Sequence, residues 1–409
     1  MKILYLNTTG TLGGAELCLL DVMTALKQAR PEWALAAFVG EDGPLRTGIE
    51  ALGARGRVMP LPASVARLGD ASLRGRDGKS RGRLALALAF AAAPAAAPAA
   101  AYLARLKTAI REEKPDRIHT INLKAHVLGA WAAPKNVPVI WHLHDYVNSR
   151  PVMARLLRLA ARRGISGVGV SRSVAEDAEK ALRGRIPVSF EYNAVDLTRF
   201  APDGPRLDLD AASGLPPAPE RTVRLGLVAT FAHWKGHDVF LEAAAKAKAQ
   251  AASDRPCRFY IVGGPIYLTT GSQWSLDDLK SRAEALGLGE SLGFAGHQTD
   301  PSAAMRALDV IVHASIRPEP FGRVIIEGMA CGKAVIAVSG GGSAELFVDN
   351  ETALGIPAGD PEALAQAMLR LISDESLRAR LGRFGRESAV SRFDRSHLGD
   401  RWAARYVEG

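Results

Sequence analysis

Cysteine is scarce in this sequence: among 409 residues only Cys18, Cys257 and Cys331 carry a thiol. They are far apart, odd in number and in no metal-ligand spacing. That excludes a disulfide or zinc framework and suits a reducing, cytoplasmic compartment. Each reads as a packed, inert thiol. An uninterrupted apolar run is also missing. The one candidate, 84–103, is mostly alanine and contains Pro94 and Pro98. Alanine contributes little transfer free energy and two prolines would interrupt a membrane helix, so a helix with a break or kink is expected instead. A signal-peptide core is absent as well, because Asn7, Thr8 and Thr9 follow the short apolar start at once; residues 2–6 read as a first buried strand. The basic stretches lack interleaved aromatics and no nucleic-acid motif occurs, so nucleic acid is not an expected partner. No G-x-G-x-x-G spacing supports a nicotinamide cofactor.

The composition is that of a soluble, folded chain: 47% hydrophobic and 23% charged residues exclude a disordered one. Its length exceeds one ordinary core, which predicts two domains of about 200 residues each. The formal net charge of +9 speaks to partners rather than fold. Two segments concentrate it. Residues 67–83 hold Arg67, Arg74, Arg76, Lys79, Arg81 and Arg83 among glycines and serines. Residues 150–163 hold five arginines and no acid, interleaved with Met153, Leu156, Leu157 and Leu159. The second has the periodicity of a basic amphipathic helix. It reads equally as a helix lying on an anionic membrane and as a solvated face whose arginine stems cover the core.

Short β-rich runs alternate with helical patterns throughout, the signature of parallel sheets with crossover helices. The first half offers strands at 2–6, 34–39, 57–61, 117–121, 137–142, 167–170 and 187–190, with helices at 15–29, 84–112 and 174–182. Residues 202–221, rich in proline and glycine, read as an exposed linker. The alternation then resumes with strands at 223–229, 258–262, 309–314 and 334–338. Helices are expected at 236–250, 276–286, 322–331 and 361–372. The expected domains are 1–201, the linker 202–221, and 222–388, with 389–409 as a helix returning to the first domain. Ligands in such folds sit at the carboxyl ends of the strands, here in a cleft between the domains.

Three strand-to-helix junctions carry the chemistry. The first, Asn7 to Glu16, contains Gly10, Gly13 and Gly14, which allow close backbone approach to an anion at the following helix N-terminus. The second runs from Thr230 to His237. There Lys235 sits between a buried strand and a helix, placed to hold a diphosphate as a point charge. The third is Pro318-Glu319-Pro320-Phe321-Gly322-Arg323 followed by a small-residue helix containing Glu327. Arg323 and Glu327 stand i and i+4 on one helix face, with Glu319 in the loop above. Taken alone this could be a capping carboxylate plus an i, i+4 ion pair.

The third junction resembles the signature of retaining glycosyltransferase family 4, with its two glutamates around Pro-Phe-Gly. Five further matches occur in order: Gly13-Gly14-Ala15-Glu16, Asn193 to Phe200, Lys235-Gly236-His237, Ser339 to Leu346, and Pro357 to Ala363. The resemblance spans nearly the whole chain. It implies an α/β GT-B fold of two Rossmann-like doubly wound domains facing a central cleft, a nucleotide-sugar donor, retention of anomeric configuration and no required metal or other cofactor. A UDP-sugar is favoured, with GDP-mannose as the other candidate. Position by position, the resemblance gives Glu319 to the donor sugar, Glu327 to the ribose and Lys235 to the diphosphate. Gly13 and Gly14 go to the phosphates, and Phe321, Gly322 and Thr230 join the donor-binding set.

Two positions depart from the family pattern. Thr230 stands where an arginine is common, so Arg323 is expected to supply the second positive charge that a diphosphate leaving group requires. Ile121 stands where a sugar-contacting histidine is common, so Asn122, Lys124 or His144 is expected to take over. His144 follows another apolar strand and reads equally as a catalytic and as a structural histidine, whereas His119 reads as buried.

The implied reaction is displacement at an anomeric carbon through an oxocarbenium-like transition state, with same-face attack and the leaving phosphate helping to deprotonate a hydroxyl acceptor. The basic segments suit a lipid-linked or membrane-borne acceptor, in the biosynthesis of a cell-surface polysaccharide, glycolipid or glycoconjugate, and a cytosolic acceptor fits nearly as well. The alternatives are a nucleotide-sugar epimerase of the same fold, a glycosidase using two carboxylates, and a non-enzymatic membrane-surface protein.

Overall fold

The computed structural model of the chain describes residues 1–66, 81–265 and 272–408, and for 81–94 the backbone alone. By contact the chain divides into two compact units, Met1–Tyr192 with Arg395–Gly409, and Asn193–Asp394. In the first, seven strands form one parallel sheet: β1 (Lys2–Leu6), β2 (Ala34–Val39), β3 (Arg55–Val58), β4 (Arg117–Thr120), β5 (Val139–Leu143), β6 (Ile165–Gly169) and β7 (Val188–Phe190). Their order is β3-β2-β1-β4-β5-β6-β7. The central strands read as continuous apolar runs because helices cover both faces of an all-parallel sheet. All five residues of β5, for example, are buried.

The second unit repeats the plan with β8 (Val223–Val228), β9 (Cys257–Val262), β10 (Leu292–Gly296), β11 (Val310–His313), β12 (Ala334–Val338) and β13 (Leu354–Ile356). The order is β10-β9-β8-β11-β12-β13, again all parallel. Each sheet therefore reverses direction at one place, between β1 and β4 in the first unit and between β8 and β11 in the second. Open α/β sheets bind ligands at the carboxyl ends of the strands at such a switch point.

The last helix, Leu398–Glu408, belongs to the first unit and lies against the helix Gly14–Ala29. Gly399 lets it approach closely, since a Cβ there would lie 2.2 Å from the Ala25 carbonyl oxygen. Trp402 and Tyr406 are thereby buried against His119 and His142 of the sheet.

Three expectations change. The helix Arg81–Glu113 runs through Pro94 and Pro98 as one continuous element, so of the expected break or kink the break does not occur; the surrounding alanines are the strongest helix formers. Residues 202–221 are not a free linker. Asp210, in the short helix Leu209–Ala212, is buried and accepts hydrogen bonds from Tyr260 Oη at 2.5 Å, Arg258 Nη1 at 2.6 Å and Arg224 Nη2 at 3.1 Å. Burial alone would raise its carboxyl, but these bonds and the Ala218 N–H hold it well below the usual range. The third change is the addition of β10 and β13, which complete the second sheet. The basic segment 67–83 lies outside the described residues except for the first backbone turn of the long helix. Among the described residues no helix is long and apolar enough to cross a membrane.

Candidate active site

In the second unit the switch point is built from two loops. After β8 the chain makes a 3-10 turn, His233–Lys235, that stops at Gly236 and enters the helix His237–Gln250. Gly236 has φ +74°, and a Cβ there would lie 1.9 Å from the Ala314 carbonyl oxygen. Only glycine lets the turn press this closely on the chain leaving β11. The loops are joined by the Ile316 N–H, which donates to the Trp234 carbonyl at 2.9 Å.

The loop after β11 then places Glu319 under Lys235. Lys235 Nζ lies 2.8 Å from Glu319 Oε2 and 3.9 Å from the centre of the Trp234 ring. Glu319 is 7% exposed. Its backbone is fixed as well: its carbonyl accepts the Gly342 N–H at 2.8 Å, tying the loop to the Gly-rich turn after β12. Burial would push the Glu319 carboxyl up. The Lys235 ammonium, followed by the hydrogen bond from His313, more than reverses that and holds it well below the usual carboxylate range.

The next helix, Arg323–Ala330, starts at Gly322, whose φ of +100° turns the chain into it, and stops before Gly332 at φ +68°. Along its face Arg323 Nε donates to Glu327 Oε1 at 3.2 Å, with Nη2 at the same distance. Glu327 is 9% exposed. Phe321 points inward, edge-on to Phe393, which leaves its backbone as the part that can meet a ligand. Thr230 Oγ1, just after β8, is buried with no hydrogen-bond partner among the described residues.

The first unit builds its switch point from the loop after β1. Glu16 folds back over this loop, accepting from the Gly13 N–H at 3.1 Å, Asn7 Nδ2 at 3.1 Å and Thr9 Oγ1 at 3.2 Å. The bond from the Gly13 N–H to Glu16, one half of a capping box, fixes Gly13 and Gly14 at the helix start. Asn122 engages the protein through both ends of its amide. It caps the helix Leu123–Ala132 through the Ala125 N–H at 3.0 Å, accepts from Thr8 Oγ1 at 3.0 Å and donates to Asn7 Oδ1, stitching β1 to β4. Lys124 reaches the Ala66 carbonyl, and burial pushes its pKa down. The His144 ring lies 4.2 Å from that of His142. Beside it the Asp145 carboxyl is pushed up, chiefly by burial and partly by Glu16, against the pull of Arg150. Among the described residues no group of three or more His, Cys, Asp or Glu side chains is placed to hold a metal ion.

The structure thus pairs Lys235 with Glu319 and Arg323 with Glu327 in one unit, and gathers Gly13, Gly14 and Asn122 around another switch point. Two polar residues that the sequence reading missed, His313 and Ser315, also bond to Glu319. Their signal was available: a polar residue ending an apolar strand, as noted for His144.

Two family models match the chain, "Glycosyl transferases group 1" over residues 216–388 and "Glycosyltransferase Family 4" over residues 12–199. Among curated relatives, a lipopolysaccharide core biosynthesis glycosyltransferase of Rhizobium meliloti is 36% identical over 30% of this chain and 36% of its own length. A D-inositol 3-phosphate glycosyltransferase of Jonesia denitrificans is 29% identical over 68% of this chain and 63% of its own. The chain thus spans less than two thirds of either relative. The HepE protein of Anabaena, solved in complex with UDP, superposes with a TM-score of 0.78 at 25% identity, each chain covered in full.

Proposed function

The chain belongs to the group 1, family 4 glycosyltransferases, and from that premise we propose that it transfers a sugar, with retention, from a nucleotide-diphosphate donor to a hydroxyl acceptor in cell-surface polysaccharide, glycolipid or glycoconjugate synthesis. The observation that carries this reading is the Lys235–Glu319 pair at the β8/β11 switch point. A buried carboxylate held ionised beside a cation is suited to two tasks at once. Glu319 accepts hydrogen bonds from sugar hydroxyls, and Lys235 meets the charge that grows on the departing diphosphate. Glu327 takes the ribose hydroxyls, and Arg323 orients it while adding a second positive charge. Gly322 and the Phe321 backbone border the donor beside Thr230. In the first unit Gly13 and Gly14 belong to the donor, and Lys124 and His144 to the sugar or acceptor.

In this reading the anomeric C–O bond to the diphosphate breaks as the bond to the acceptor oxygen forms on the same face. The acceptor proton passes to the leaving phosphate oxygen. No added cofactor or metal enters any step. A UDP-sugar is the favoured donor, supported by the UDP in the HepE complex; GDP-mannose is the second candidate.

The acceptor is lipid-linked in this proposal, and the first unit docks on the anionic inner face of a membrane. The support is a surface on the helix Pro151–Ala160, where Leu159 is 72% exposed. Arg162 reaches the carbonyls of Ala130 and Ala133, which brings in Trp131, 41% exposed. Thermal melting with UDP-glucose, UDP-galactose, UDP-N-acetylglucosamine and GDP-mannose tests the donor assignment. One of them is expected to raise Tm more than its bare nucleoside diphosphate does. No shift with any of the four would sink it.

A further inference from the structure

His313 ends a central strand whose four residues are all buried, a place where an imidazole is costly unless both nitrogens are bonded. Both are. The Val338 N–H of the neighbouring strand points at Nδ1 from 3.4 Å, so Nδ1 carries a lone pair and the ring proton sits on Nε2. Nε2 faces Ser315 Oγ at 3.1 Å and Glu319 Oε2 at 3.3 Å. Ser315, itself fully buried, donates to the same Oε2 at 2.8 Å. With Lys235 Nζ, also at 2.8 Å, three donors from three places in the chain converge on one carboxylate oxygen. Lys235 alone would neutralise the charge. Two further donors, one with its tautomer set by a backbone N–H of β12, fix where the carboxylate points.

We propose that His313, acting with Ser315, is a positioning residue that aims the Glu319 carboxylate at the donor sugar. The backbone of β12 sets the tautomer of His313 in turn. This rests on the reading of Glu319 as the sugar-binding carboxylate and adds to it a device for its orientation. The consequence is selective. Loss of the device weakens recognition of the sugar and spares the nucleotide, which Glu319 does not meet.

The test needs no acceptor. Titration calorimetry is run with UDP or GDP, and with whichever of the four nucleotide sugars above raises Tm most, on wild type, Glu319→Ala, His313→Leu, His313→Gln and Ser315→Ala. His313→Leu is expected to weaken the nucleotide sugar about 10-fold while the bare nucleoside diphosphate stays within about 2-fold. His313→Gln, whose amide N–H replaces that of Nε2, is expected to recover most of the loss. Should His313→Leu fail to fold, Ser315→Ala removes the second donor with little change of volume and carries the same test. If no nucleotide sugar binds, or if Glu319→Ala binds it as well as wild type, the donor-site reading falls and this proposal with it. If Glu319→Ala loses the sugar preference but His313→Leu and Ser315→Ala keep it, only the positioning role is overturned. Parallel losses for sugar and bare nucleotide, with Gln no better than Leu, overturn it too and leave His313 a core residue.

Discussion

At the scale of single residues the site is a problem of buried charge. Glu319 is held ionised with Lys235, His313 and Ser315 beside it, so removing Lys235 takes away an ammonium 2.8 Å from a buried carboxylate. The folded-state pKa of Glu319 is depressed below its ordinary 4.5. Its contribution to stability is therefore fully present above about pH 4.5 and is lost as pH falls toward the depressed value. In Lys235→Met the sign reverses, because burial then dominates and raises the carboxyl. The variant is expected to be less stable than wild type by about 3 kcal/mol at pH 7, the order found when one partner of a buried pair is removed. The gap should narrow as pH is lowered from 5 to 3. Urea denaturation at several pH values checks this, and a gap that is constant or widens on acidification would show that the pair does not hold Glu319 ionised. Part of this site was legible in the residues themselves. The Arg323–Glu327 pairing follows from i, i+4 spacing, and Lys235 was identified from its place between strand and helix. The Lys235–Glu319 contact was not legible, because it joins residues 84 apart through the adjacency of β8 and β11. The commitment of Asn122 to its neighbours was hidden for the same reason, since Asn7 meets it across the β1/β4 pairing.

At the scale of elements, alternation of apolar runs with amphipathic stretches located most strands of both sheets. Two escaped: β13 has only three residues, and β10 is bracketed by Gly287, Gly289 and Gly296, which read as loop. The proline-rich stretch 202–221 misled for a different reason. Its composition says turn, but Asp210 finds two arginines and a tyrosine on β8 and β9, a tertiary demand that local composition does not encode. Turn chemistry was more dependable where glycine is required by geometry, and Gly236 is the case with a functional consequence. It combines a positive φ with a contact to Ala314 that leaves no room for a Cβ. Gly236→Ala must move the 3-10 turn away from β11 and carry Lys235 off Glu319. The expected cost exceeds about 1 kcal/mol in stability. Affinity for the preferred nucleoside diphosphate should fall at least as far as it does in Lys235→Met, by calorimetry. Wild-type affinity in a folded Gly236→Ala protein would mean that the close approach is not what places the lysine.

At the scale of the whole molecule, the excess of 52 basic over 43 acidic residues matters only where it is concentrated. In the first unit Arg158 is the focus of such a cluster. Its pKa is pushed down first by burial and then by the like charges of Arg183, Arg155 and Arg185. Crowding of this kind is relieved by an anionic surface, and Leu159 and Trp131 are the side chains able to enter its apolar boundary. Basic residues near an anionic leaflet contribute roughly 1 kcal/mol each, an attraction that decays over about 10 Å at 0.1 M salt and about 3 Å at 1 M. Burying a leucine adds about 2 kcal/mol that salt does not screen. The two contributions can therefore be separated by co-sedimentation with vesicles. Binding to phosphatidylglycerol-rich vesicles at low salt is expected to exceed binding to phosphatidylcholine vesicles and to fall steeply toward 1 M. Arg155→Glu with Arg183→Glu should remove most of the salt-sensitive part. Leu159→Ser should lower affinity about 10-fold at every salt concentration, leaving the slope against salt unchanged. Equal binding to both lipids, or a Leu159→Ser protein that binds as wild type does, would return this face to ordinary solvated surface and leave the acceptor to be sought in solution.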